Sequence, residues 1–316
     1  MKTASPRTLL MAGPSIAAYG FPNDHPFGPD RHQAFMTELE RSAAYAMLEI
    51  IEPEPADREV IEQFHTARYV DFVKAASEQG HGLLDAGDTP AYPGVFEAAA
   101  AVVGGTIFAL ERILSGETRS AFIPIGGLHH ARRDGAAGFC VFNDCGVAIE
   151  HARNHFGLER VAYVDIDAHH GDGVFYGFED DPVAIIADTH EDGRYLYPGT
   201  GRRDETGKGP AAGTKLNIPL PPGAGDAEFL EAWDEIEAFL ESHEPELYLL
   251  QCGADSIGGD PITHLQFTVE AHAHAASRLK ALAEKTASGR VLAMGGGGYN
   301  RNNLARSWTR VVEAIS

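Results

Sequence analysis

Cysteine is scarce in this 316-residue chain: Cys140, Cys145 and Cys252 are the only three, with no CxxC pair among them. That excludes a disulfide framework and a thiolate-rich zinc site, and it fits a reducing compartment. Positive charge is also short. Lys and Arg number 25 against 46 Asp and Glu, a formal net charge of −21, so the basic face that nucleic-acid binding requires is missing. Long apolar runs are lacking too. No window approaches the roughly 18 uninterrupted apolar residues of a membrane span. The N-terminal stretch MKTASPRTLLMAGPSIAAYG is broken by Gly13 and Pro14 before it can form a signal-peptide core. Repeats and low-complexity blocks are absent, and Pro and Gly are scattered as turn punctuation. With 44% hydrophobic and 22% charged residues, the composition excludes bulk disorder. These features predict one cytoplasmic domain over residues 1–316, with no nucleic-acid and no membrane partner.

What is present alternates. Continuous apolar runs predict strands at Ala121–Ile125, Arg160–Ile166, Val183–Ala187, Leu247–Gln251 and Arg290–Met294, as for strands buried on both faces of a parallel sheet. Longer patterns predict helices at Gly94–Leu114, Asn143–His155, Asp226–Ser242, Thr268–Thr286 and Asn303–Ile315, with Asp226 and Thr268 as N-caps. Alternating strands and helices make an α/β fold with a mainly parallel sheet. Each predicted strand runs into a polar, Gly-bearing segment: GGLHH, DAHHGDG, DTHEDG, CGADS and GGGGY. In such sheets the ligand crevice lies beyond the carboxyl ends of the strands. Five polar clusters therefore converge on one site.

The segment DIDAHHGDG (165–173) is the richest. Side-chain alternation sends Asp165, Asp167 and His169 to one side. Asp167 and His169 can hold a divalent ion, and Asp255, after another buried strand, is the best third ligand. Two acids and an imidazole leave an open coordination position, the mark of a catalytic site. Without a thiolate the default ion is Zn²⁺, with Fe²⁺ or Co²⁺ as alternatives. His129 and His130 suit acid–base work near neutral pH. Asp165 and Asp172, not needed as ligands, are paired with His129 and His130 respectively. The GGGGYN segment (295–300) lacks the Lys-Ser/Thr ending of a phosphate loop. Tyr299 is either a core tyrosine or a hydroxyl donor to a developing oxyanion. His25, His32 and His65 either line a rim or fill loops.

Together the segments GGLHHARRDGAAGFCVFND, YVDIDAHHGDGV, YPGTG, LQCGADSIGGDP and GGGGYN resemble the histone deacetylase family of the arginase–deacetylase superfamily, in that family's order. The likeness is looser over HPFGPDRH, FHTARYV and DTPAYPGVFEAAAAVVGG. The resemblance implies a central eight-stranded parallel sheet with helices on both faces. It implies zinc ligands at Asp167, His169 and Asp255, histidine–aspartate pairs at His129–Asp165 and His130–Asp172, and a carbonyl-polarising hydroxyl at Tyr299. It also implies acyl-lysine tunnel walls at Gly138, Phe139 and Tyr197, a further substrate contact at Ile262, and a substrate-gripping rim carboxylate at Asp88. Asp172 looks like the class I branch, and Tyr299 is the residue of active members.

The implied activity is zinc-dependent removal of acetyl groups from lysine side chains of peptides or proteins; an acetylated polyamine is the alternative substrate. No insertion between Arg31 and Asp88 resembles the one that narrows polyamine-type channels, which favours peptides. One departure stands out. Where the family commonly has Ser, a hydrophobic residue and His, this chain has Asp188-Thr189-His190, beside the position of a structural K⁺. Two other readings are disfavoured. A dimanganese ureohydrolase needs a second bridging carboxylate pair, and a non-catalytic acyl-lysine sensor is expected to have lost a ligand or Tyr299.

Overall fold

The computed structural model describes residues 7–316; residues 1–6, the start of the stretch read above for a signal peptide, lie outside the described residues. Eight strands form one all-parallel sheet: β1 (Thr8–Met11), β2 (Leu48–Ile51), β3 (Ser120–Ile123), β4 (Val161–Asp165), β5 (Ala184–Glu191), β6 (Lys215–Leu220), β7 (Leu247–Gln251) and β8 (Val291–Met294). Their spatial order is β2-β1-β3-β8-β7-β4-β5-β6. The helices are α1 (Pro14–Ala17), α2 (Asp30–Leu39), α3 (Arg58–Ile61), α4 (Ala67–Gln79), α5 (Val95–Leu114), α6 (Asp144–Phe156), α7 (Asp172–Gly177), α8 (Asp226–His243), α9 (Val269–Thr286) and α10 (Arg301–Ile315).

Strand residues alternate between two cores. Leu9, Ile123, Tyr163, Ile186, Leu249 and Leu292 join the side covered by α4, α5 and α6. Leu10, Phe122, Val164, Ile185, Leu250 and Ala293 join the side covered by α2, α8, α9 and α10. Burial on both faces explains why these strands read as unbroken apolar runs. Among the described residues no helix is long and apolar enough to cross a membrane.

Several predicted boundaries move. The predicted Ala121–Ile125 strand is Ser120–Ile123, because Pro124 carries no N–H to continue the ladder. The predicted Val183–Ala187 strand runs on to Glu191. Asp188, Thr189 and His190 therefore lie inside β5, in register with β6, and not in a loop after it. Asp226 is the first residue of α8 and not its cap; Gly225 is the cap, and the Asp226 carboxylate accepts from the Thr268 N–H and hydroxyl at 2.7 Å each. Thr268 does cap α9, accepting from Glu270 N.

Candidate metal and acid–base site

The site is assembled at the carboxyl ends of the adjacent strands β3, β8, β7 and β4. β4 ends at Asp165, so strand alternation stops there. Side-chain-to-backbone bonds hold the next two residues on the same side: Asp167 N donates to Asp165 Oδ1 (3.1 Å) and His169 N to Asp167 Oδ1 (3.0 Å). Across the sheet, Asp255 sits on the turn after β7, and Ala168 N donates to its Oδ1 at 2.9 Å. Asp167, His169 and Asp255 are all buried, and their ligand atoms lie within 4.8 Å of one another. His169 Nδ1 lies 3.0 Å from Asp167 Oδ1 and 3.2 Å from Asp255 Oδ2.

This donor set fits a divalent cation. Burial, with Asp167's charge added, pushes the Asp255 carboxyl up to about 7. Burial opposes charge on His169, but the two acids outweigh it and lift the imidazole to about 10. Two acids crowded on one imidazole mark a place short of positive charge. Oxygen and nitrogen donors without thiolate suit Zn²⁺, Fe²⁺ or Co²⁺. The approach is close enough that neighbouring backbone must be glycine. A Cβ on Gly253 would overlap Asp167 Oδ2, and one on Gly297 would overlap Asp255 Oδ2. Gln251 Nε2 and Gly297 N each donate to Asp167 Oδ2 at 2.9 Å.

Beside the acids stand two histidine–aspartate pairs. His129 Nδ1 donates to Asp165 Oδ2 and His130 Nδ1 to Asp172 Oδ1, both at 2.7 Å. The Tyr163 hydroxyl donates to the same Asp165 oxygen at 2.6 Å. The two imidazoles behave differently. Burial opposes charge on His129, yet Asp165 and Asp167 raise it to about 9. Burial and the neighbouring His129 charge push His130 down to about 4 despite Asp172. Exposed Arg132 approaches Asp172 Oδ2 at 3.4 Å.

Tyr299 closes the cavity, which is also lined by His130, Gly138 and Asp167. Burial holds its phenol well above the usual range, so the hydroxyl stays a donor. Its position comes from Asp260, whose Oδ2 accepts from Tyr299 N at 2.8 Å. Ile262 lies on the same turn, its N–H on Asp260 Oδ1. Phe139 meets Tyr299 edge-on with ring centroids 5.8 Å apart, and Tyr197 meets His130 edge-on at 5.1 Å. Gly138 has φ +51 and its Cβ would overlap the His130 ring. Asp88 is exposed on the loop before α5; burial and Asp85 raise its carboxyl.

The structure thus gathers every metal and acid–base residue singled out in the sequence. Asp188 is not left facing an ion alone: Gly171 N donates to its Oδ2 (2.9 Å) and His190 Nδ1 to its Oδ1 (2.7 Å). Burial opposes both charges, but each partner stabilises the other, so they form an internal ion pair. Of the remaining histidines, His32 and His65 are buried, and His25 is at the rim. Sequence reasoning missed Gln251, Asp260 and Arg31. Gln251 is the one amide side chain in the LYLLQ strand, a signal that was available. Arg31 is fully buried. It donates to Gly298 O (2.9 Å) and Gly296 O (2.6 Å), with its guanidinium 3.9 Å from the Phe27 ring centre. Nothing local in the sequence announces that contact, which spans 267 residues.

Residues 25–315 match the histone deacetylase domain, and the chain belongs to that family of deacetylases. It is 37% identical to the acetoin utilization protein AcuC of Bacillus subtilis (strain 168), over 96% of this chain and 81% of that protein. It is 31% identical to the histone deacetylase RPD3 of Saccharomyces cerevisiae (strain S288c), over 93% of this chain and 68% of the relative. The crystal structure of the HDA15 HD domain superposes with a TM-score of 0.92 at 26% identity, covering 99% of this chain and 88% of that one.

Proposed function

We propose that this deacetylase removes acetyl groups from Nε-acetyl-lysine side chains of peptides or proteins, with Zn²⁺ held by Asp167, His169 and Asp255. The observation that carries the reading is the joint geometry of that buried triad, two histidine–aspartate pairs at 2.7 Å and the Tyr299 hydroxyl around one narrow cavity. When bound, such an ion supplies Lewis acidity and lowers the pKa of water towards neutrality. Fe²⁺ or Co²⁺ suits the same donors, and K⁺ enters only as a structural companion.

The residues divide the remaining work. His130, neutral, accepts the proton of the attacking water at Nε2 and returns it to the leaving lysine amine. His129, charged and held by Asp165, supports the negative charge that develops beside it. Tyr299 donates a hydrogen bond to the former carbonyl oxygen as it becomes an oxyanion. Phe139 and Tyr197, with Gly138 between them, hold the lysine methylenes and exclude water. Asp88 and Ile262 meet the substrate at the mouth.

Acetate release by metal-defined protein tests this. Acetyl-lysine peptides are expected to be turned over with a kcat/KM at least tenfold above those of acetylspermidine and acetylputrescine. The reverse order assigns the enzyme to acetylated polyamines. No release from any of them refutes the reading.

A further inference from the structure

His25 was one of three histidines the sequence left between rim and loop filler. Its ring nitrogens are both used. Phe27 N donates to Nδ1 at 3.1 Å, so Nδ1 carries no proton and Nε2 does. Nε2 then donates to the backbone carbonyl of Asp88 at 3.1 Å. The ring stands edge-on to Phe139, centroids 4.6 Å apart at 83°, and is backed by Phe21 at 4.8 Å.

Phe139 needs such support, because it is a non-glycine residue at φ +67. The Tyr19 hydroxyl donates to its carbonyl at 2.7 Å, and its own N–H donates to Thr89 Oγ1 at 3.1 Å. Thr89 in turn donates to Asp85 Oδ2 at 2.6 Å, and Asp85 Oδ1 accepts from Gly87 N and Thr89 N. The loop that carries Asp88 is therefore fastened at two points, to the Phe139 backbone through Thr89 and to the Phe27 turn through His25. Asp88 itself is exposed.

We propose that His25 is a positioning residue that sets specificity: it fixes the spacing between the Asp88 carboxylate at the mouth and the Phe139 ring in the wall. A substrate whose acylated side chain hangs from a peptide backbone uses both points at once. A small acylated amine uses only the wall. His25 therefore favours peptide-borne acyl-lysine over small acylated amines, an inference that rests on the acyl-lysine reading above.

The test compares an acetyl-lysine tripeptide with N-butylacetamide, which has the side-chain amide and no backbone. His25→Phe keeps an aromatic ring against Phe139 and loses both hydrogen bonds. Its kcat/KM ratio, tripeptide over N-butylacetamide, is expected to fall about tenfold, the scale of one lost hydrogen bond, with the loss in tripeptide KM and not in kcat. His25→Gln, whose amide can still donate to Asp88 O, is expected to recover the ratio to within about threefold. An unchanged ratio in His25→Phe, or an equal loss on both substrates, overturns the proposal. If His25→Phe does not fold, His25→Asn, which keeps the acceptor for Phe27 N but not the donor to Asp88, gives the same reading. Long-range ¹H–¹⁵N spectra of the wild-type imidazole are expected to show the Nε2–H form at pH 7.5. The Nδ1–H form overturns the proposal whatever the activity. A wild type inactive on both substrates overturns the acyl-lysine reading and the specificity proposal with it, even where the Nε2–H form shows the His25 hydrogen bonds to be in place.

Discussion

The Nε2 atoms of His129 and His130 lie 3.1 Å apart, so a charge on one ring opposes a charge on the other. Their outer nitrogens are already committed to Asp165 and Asp172. With His129 raised to about 9 and His130 lowered to about 4, the pair holds a single positive charge across the neutral range. That charge sits on His129, and His130 keeps an unprotonated Nε2 with which to take the proton of water.

A pH dependence follows. Activity is expected to decline on the alkaline side as His129 loses its proton near 9. Asp165 raises that pKa, so Asp165→Asn removes the support and moves the alkaline limb of kcat/KM to lower pH. A pH–rate profile checks this, and a limb that stays in place removes His129 from the assignment.

Tyr299→Phe deletes one hydroxyl and leaves the ring that Phe139 contacts. Fold and metal content should be retained, with turnover on acetyl-lysine peptide down about 100- to 1000-fold, the usual cost of an oxyanion donor. Near-normal kcat would remove Tyr299 from the mechanism.

The triad should bind one divalent ion per chain. Titrating Zn²⁺ into stripped protein is expected to raise Tm, by a stabilisation of about 2.7 kcal/mol when the ion is 100-fold above its Kd. Asp255→Ala should abolish both the shift and the bound metal. Elemental analysis that finds two ions per chain would point to the binuclear reading.

Gly297→Ala inserts a methyl against Asp255 Oδ2 without removing any ligand. Loss of metal affinity at least tenfold larger than that of a Gly→Ala change at Gly135, which has nothing within 4 Å and no positive φ, is the expected result. Calorimetric titration of both variants decides it.

Acid should destabilise the fold through His65. It is buried, accepts from Asn143 N at Nε2 (2.8 Å), and is lowered by burial to about 3. The unfolded imidazole takes its proton near the reference value of about 6.5, so between about 6.5 and 3 the unfolded state binds more protons. Stability is full above that window and falls with pH inside it. His65→Gln, neutral throughout, should show a shallower fall in Tm between pH 7 and 5.

The fold was legible where strands are buried on both faces, as in LYLLQ, whose predicted and observed limits coincide. It was obscure at the edges. β2 (LEII) is a half-exposed edge strand, and β6 (KLNIPL) breaks its apolar run with Asn217 and Pro219. Four-residue β1 is too short to show a period. The site was readable because its ligands are local, two residues apart or beside a strand end. Its supports were not. Arg31, Gln251 and Asp260 act across 265, 84 and 39 positions of chain, and no sequence window spans such distances.

The place of β8 has a consequence for biosynthesis. Of these eight strands it is the last to be made, yet it lies between β3 and β7 and joins the two halves of the sheet. Until residues 291–294 leave the ribosome, the ends of β3 and β7 have no common neighbour, and His129 and Asp255 ride on separate fragments. A nascent or prematurely terminated chain is thus deprived of a finished catalytic centre. It cannot strip acyl groups from its surroundings during synthesis, and its potency arrives in one late step.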